Sequence, residues 1–227
     1  MFYDEIQAIE KCEEEPSQIF NLINEGHLEL VNKILSKKSF PINTVNEDGD
    51  DILSYLLKNN YYDLVLNHMT NKNWNVNHQN KDGETFAHIL VAKKYVDVLE
   101  ITKQLHKNKR FIPNIRNKNG ETILDISLYK NNLSTTLKIL KDKRFNNIDL
   151  ASFKTYYEKY IKNEDYGVYS KMTNLEVIVG TLKDKPLLPK LNNMIDEMTV
   201  NMKEIKNSLK QGNIETLDKM VYSFVSE

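Results

Sequence analysis

Apolar residues along the chain come in paired stretches at helical spacing, separated by short polar turns. Ile19, Phe20, Leu22 and Ile23 form one such face; Gly26-His27 interrupts, and Leu28, Leu30, Val31, Ile34 and Leu35 form the next. The plan recurs three times. Ile52, Leu53, Leu56 and Leu57 are followed past Asn59-Asn60 by Leu64, Val65 and Met69. Phe86, Ile89, Leu90 and Val91 are followed past Lys93-Lys94 by Val96, Val98, Leu99 and Ile101. Ile123, Leu124, Ile126 and Leu128 are followed past Asn131-Asn132 by Leu133, Leu137, Ile139 and Leu140. Each of these three pairs is introduced by one polar phrase, Asn-x-x-Asn-x-x-Gly, beginning at Asn43, Asn77 and Asn114. Its glycines, Gly49, Gly83 and Gly120, lie 34 and 37 residues apart. Such a period predicts stacked helix pairs, because one pair cannot bury its apolar faces alone.

The phrases carry turn chemistry. Gly and Asn supply left-handed backbone at low cost, and Asn side chains bond the amides of their own loops. Thr85 and Thr122, two residues past a glycine, are placed to cap the helix that follows. Pro16 disfavours helix at Glu15, which makes Ser17 the expected N-cap of the first helix of the first pair. The segments that follow are a polar N-terminal stretch 1–16, a capping repeat 17–42, repeats 43–76, 77–113 and 114–146, and a degenerate or capping helical region 147–227.

The phrases resemble the ankyrin-repeat family over about Ser17 to Phe145. Asn80, Gly83, Thr85 and His88 match the Asp-x-x-Gly-x-Thr-Pro-Leu-His signature of that family, and Gly26-His27-Leu28-Glu29-Leu30-Val31 matches its inter-helix signature. Asp63-Leu64-Val65 and Asp97-Val98-Leu99 echo the second signature. The repeats are divergent: Phe86 and Ile123 stand where the family has proline, and the three central inter-helix turns lack glycine. The resemblance implies an all-α, ankyrin-like helical-repeat solenoid, built of paired antiparallel helices with hairpin loops and ended by an atypical helical C-terminal region. It also implies a structural role for His88, hydrogen-bonding between neighbouring loops, beside Gly49, Gly83, Thr85, Gly120 and Thr122.

Beyond Phe145 the pattern changes. Phe153, Tyr156, Tyr157, Tyr160 and Ile161 share a helical spacing, and with Tyr166 and Tyr169 they make a tyrosine cluster. Leu175, Val177, Ile178 and Val179 read as another helix. Leu191, Met194, Ile195, Met198, Met202, Ile205 and Leu209 form a long amphipathic stripe, which packs internally in a monomer, the expected state, or pairs two copies in a dimer. Trp74, in the polar link Asn71-Lys-Asn-Trp-Asn, is expected to pin that loop against the next unit.

Composition narrows the chemistry. Charge is balanced at 31 Lys+Arg against 32 Asp+Glu, with no basic stripe evident in the sequence, which argues against a nucleic-acid partner. No apolar window approaches the length of a membrane span, and the N-terminus lacks a secretory signal pattern. The single cysteine, Cys12, excludes an internal disulfide and suits a reducing compartment. The expected location is therefore the cytoplasm, of the producing cell or of a host reached without a classical signal. The five histidines show no metal-ligand spacing, and no phosphate loop, nucleophile elbow or zinc-protease motif is present, so neither cofactor nor metal is expected.

The expectation is therefore a non-enzymatic protein-binding module, an adaptor or inhibitor. The family's concave face, made of hairpin tips and first-helix ends, carries over to Glu47, Asp48, Asp50, Lys58 and Asn59 in the first full unit. It carries over to Lys81, Asp82, Glu84 and Lys93 in the second, and to Lys118, Asn119, Glu121, Tyr129 and Lys130 in the third. The alternative is a small effector activity in 147–227 delivered by the repeats. That region holds no Cys and no His.

Overall fold

In a computed structural model of the chain, residues 5–93, 99–130, 132–144 and 177–181 are described, with seven single helical positions between 193 and 207. Every regular element among them is helical apart from two isolated β-bridges. In chain order they are α1 Glu5–Glu14, a 3-10 turn Pro16–Gln18, α2 Ile19–Asn24, α3 Leu28–Leu35, α4 Ile52–Lys58 and α5 Tyr62–His68. Then come α6 Phe86–Ala92, α7 Leu99–Lys107, α8 Ile123–Tyr129 and α9 Leu133–Lys141. No helix among the described residues is long and apolar enough to cross a membrane. The chain divides into two compact units between Ile126 and Ser127, a division that falls inside α8.

In the first unit, α2 packs on α3 and α4 on α5, while α4 also meets α6, and α3, α5 and α7 follow one another in contact. The core is the periodic set read from the sequence: Ile19, Ile23, Val31, Ile34, Ile52, Leu53, Leu56, Leu57 and Val65 are each almost completely buried. Helix ends follow local backbone chemistry. After α2, Gly26 takes φ +79; its N–H donates to Ile23 O, and the N–H of His27 donates to Leu22 O. This left-handed cap satisfies carbonyls that the helix leaves open. After α4 the same two bonds run from Asn60 to Leu57 O and from Tyr61 to Leu56 O, with Asn60 at φ 65. Asparagine thus does the work of the glycine that the turn lacks.

One sequence expectation is corrected here. Ser17 is not an N-cap: Pro16–Gln18 winds as a 3-10 turn, the Ser17 hydroxyl donates to the Glu15 carboxylate, and α2 starts at Ile19 without a side-chain cap. The Pro-fixed backbone lets the turn run straight into the helix, leaving no extended residue for a cap. The 1–16 stretch, read as a polar segment, contains α1, which lies against α3 and buries Ala8 and Cys12. Its apolar stripe is only two small residues wide, too narrow to register as a periodic face.

Trp74 pins its loop as expected. It is fully buried, its indole Nε1–H donates to Asp51 Oδ2 at 2.8 Å, and its ring meets Phe86 edge-on at 5.0 Å.

In the second unit, Asn132 N–H donates to Ser127 O, Asn132 Oδ1 caps α9 at Thr135, and the Ser127 and Thr136 hydroxyls bond at 3.0 Å. Ile178 and Val179 are buried in a helical stretch. Asn193, Asp196, Val200, Lys203, Glu204 and Asn207 are helical and exposed. The apolar stripe between them, and the tyrosine cluster at 156–169, lie outside the described residues.

Candidate functional site: a row of three clasped loops

The three phrases share one internal hydrogen-bond pattern. In each, the second Asn (Asn46, Asn80, Asn117) turns its Oδ1 inward to accept two backbone amides. These are Asp48 and Asp50 in the first loop, Asp82 and Glu84 in the second, and Asn119 and Glu121 in the third, all at 2.9–3.0 Å. The backbone closes each loop from the same Asn N–H to the carbonyl four residues on, and the glycine N–H returns to the Asn carbonyl. Gly49, Gly83 and Gly120 all hold φ between 73 and 77, where a side chain would be strained.

The loops are then joined to one another. Lys81 N–H donates to Asp48 O, and Lys118 N–H donates to Asp82 O, each at 2.9 Å. The first Asn of the phrase adds a second tie. Asn43 Nδ2 donates to Asn73 O while its Oδ1 accepts Asn75 N–H; Asn77 does the same with Arg110 O and Ile112 N–H. One side-chain amide thus clamps two backbone groups a full period away. His78 Nε2 bonds Gly49 O at 2.7 Å, and Gln79 Nε2 donates to Arg116 O at 2.9 Å.

Each loop hands over to a helix through a different cap. Asp51 accepts Ser54 N–H at 2.7 Å on one oxygen and the Trp74 indole on the other. Burial pushes its carboxyl above the ordinary 3.8, opposed by those hydrogen bonds. Thr85 N–H donates to His88 Nδ1 at 3.0 Å, and the Thr85 hydroxyl lies 2.8 Å from the same nitrogen. Nδ1 is therefore the acceptor, so the ring is the neutral Nε2–H tautomer, and Nε2 donates to Glu121 O at 3.1 Å in the next loop. Burial, which lowers the His88 pKa from 6.5, keeps it neutral. In the third loop Thr122 N–H and hydroxyl both donate to Asp125 Oδ2, at 2.7 and 2.8 Å.

Of the predicted partner-binding residues, Glu47, Asp48, Lys81, Asp82, Lys118 and Asn119 are exposed at the tips, and Asn59 is exposed at the end of α4. Asp50 is the exception. It is 1% exposed, and its carboxylate bonds Lys58 Nζ at 2.7 Å and Asn80 Nδ2 at 2.8 Å. The inward turn of the loop after Gly49 aims it at the next unit, so it ties units together instead of facing a partner. Lys58, half-exposed, is held by this pair, and half-exposed Lys93 donates to Lys58 O and Asn60 Oδ1, both at 2.8 Å. Glu84 and Glu121 are also half-exposed, with Glu121 accepting from Asn117 Nδ2 at 2.9 Å. In the second unit Tyr129 and Lys130 are exposed, the ammonium 5.9 Å from the ring centroid.

Sequence reasoning passed over Asp51, although it sits at the same offset from Gly49 as the threonines do from their glycines. It also passed over Asn43 and Asn77 as inter-loop clamps. Their recurrence in the phrase was the available signal.

The exposed tips form a charge series: Glu47 and Asp48, then Lys81 and Asp82, then Lys118 and Asn119. Among the described residues no group of three metal-ligating side chains gathers. Cys12 is buried, and burial raises its thiol pKa, away from the reactive thiolate. No protein-family model matches the chain, and comparison with curated proteins returns no relative.

Proposed function

We propose that this chain is a non-enzymatic protein-binding module of ankyrin-like stacked helix pairs, acting as an adaptor or inhibitor that grips one protein partner along the row of loop tips. The observation that carries the reading is the pair of backbone bonds from Lys81 to Asp48 and from Lys118 to Asp82. They hold three tips in register, so the exposed side chains of adjacent loops are presented together with little ordering left for binding to impose. Preorganisation of this kind lowers the entropic cost of association. A standard interface covers roughly 800 Å² on each partner, which needs several adjacent tips and the first-helix ends beside them. The gradient from acidic Glu47 and Asp48 to basic Lys118 favours a partner whose basic end meets the first loop, and such charges set orientation and on-rate more than affinity.

The test is affinity capture with mass spectrometry, comparing wild type with Asp48→Lys/Lys81→Glu/Lys118→Glu after circular dichroism shows equal helicity. Asp50 is left intact because reversing it would break the buried pair with Lys58. A partner held by wild type and lost by the variant is the expected result. Equal capture by both proteins would remove the tips from the interface.

A further inference from the structure

Among the described residues the fold gathers three cations in a groove away from the loop tips, with Glu100 near one of them, Lys107. Between the C-terminal ends of α5 and α7 lies a groove of about 450 Å³, lined by Met69, Thr70, Lys72, Lys107 and Arg110 together with Gln104 and Asn108. The turns that bound it, Thr70-Asn71-Lys72-Asn73 and Lys107-Asn108-Lys109-Arg110, contain no carboxylate. Arg110 is fixed across the groove, its guanidinium donating to Lys72 O at 2.7 Å and Asn71 O at 3.4 Å. Lys72 and Lys107 stand exposed on either side. Two helix C-termini contribute about half a negative charge each, and three full cations outweigh them. The equivalent groove between α3 and α5 is lined by Asn32, Ser36, Asn67, His68 and Asn71 with Leu35 and Thr70, and holds no lysine or arginine. The basic groove is therefore a local feature and not a property of every unit.

Elsewhere in the molecule an acidic helix already meets lysines. The acidic helix α1 lies along α3, placing Glu5 2.7 Å from Lys33 and Glu13 2.6 Å from Lys37, with Ala8 and Cys12 buried beneath. We propose that the α5–α7 groove is a second docking surface, for an acidic peptide segment of a partner protein, held by charge complementarity through Lys72, Lys107 and Arg110. It is a separate surface from the loop tips and stands whether or not they bind a partner.

The experiment is fluorescence anisotropy with a labelled ten-residue glutamate peptide and, in parallel, a labelled ten-nucleotide uridine RNA, on the full chain at low and at physiological salt. Lys72→Glu/Lys107→Glu reverses the groove; Lys81→Glu/Lys118→Glu applies the same net charge change at the tips. Circular dichroism checks that both variants keep wild-type helicity. The expected result is salt-sensitive peptide binding that the groove variant weakens at least about tenfold, while the tip variant changes it less than about twofold. Equal weakening by both variants would show diffuse attraction and overturn the proposal. So would absence of peptide binding to wild type, or tighter binding of the RNA than of the peptide. Loss confined to the tip variant would also overturn it and return the acidic ligand to the loop row.

Discussion

The loops at Gly83 and Gly120 share a phrase, a set of internal hydrogen bonds and nearly the same φ, 73 and 77, yet their surroundings differ. A methyl group added at Gly83 would stand 2.8 Å from Lys118 N and 3.1 Å from Asn117 C, because the next loop closes directly over it. At Gly120 the same methyl meets nothing within 4 Å among the described residues. Gly83 thus answers two demands, a left-handed backbone and room for a neighbour's main chain, whereas among the described residues Gly120 meets only the first. A repeated residue can be kept for different reasons in successive copies, and only the stacking separates them.

Three substitutions test that difference. The largest effect is expected for Gly83→Ala, which adds backbone strain to a clash that must push neighbouring loops apart; about 3 kcal/mol of stability should be lost, read from the urea midpoint. His88→Ala comes next. It removes the ring that joins Thr85 to the Glu121 carbonyl and leaves buried polar groups unpaired, for a loss of about 2 kcal/mol. Gly120→Ala, with strain but no clash among the described residues, should cost only about 1 kcal/mol. Equal losses at Gly83 and Gly120 would break the comparison.

The smallest expected effects are those of pH. Burial lowers the pKa of His68 and His88 below 6.5, so the unfolded chain takes up these protons first as pH falls. Their contribution is complete above 6.5 and is lost as pH falls below it, and His88→Gln should flatten part of that fall. Asp51 has the opposite sign. Its raised pKa means stability is favoured below 3.8 and lost as pH rises through the folded value, so the deficit of Asp51→Asn against wild type should narrow with rising pH in the acid range.

Much of this was legible in the chain. The helix faces at Ile19–Leu35 and Ile52–Val65 follow from 3.6-residue periodicity, and the three turns from their shared Asn and Gly, because both signals are local. Trp74 was legible because an indole in a polar link needs both a pocket and a partner for its N–H. What escaped has a common cause. Asp50 and Asp51 stand side by side after Gly49; the first read as a partner-facing acid and the second carried no reading. Their burial depends on Asn80, Lys58 and Trp74, and the first and last of these belong to loops that reach them only through stacking. Helix α1 escaped because its buried stripe, Ala8 and Cys12, becomes a face only when α3 lies beneath it.

The claim that the loops form one clasped row is tested most directly by native-state hydrogen exchange at the Lys81 and Lys118 amides. Both side chains are exposed, so without the inter-loop bonds these amides would exchange as surface positions do. Protection of at least about a hundredfold over an unstructured peptide is expected for both, with Gly83→Ala stripping it from Lys118 first. Exchange of both wild-type amides at unprotected rates would contradict the clasp, and with it the rigid display on which the proposed binding face depends.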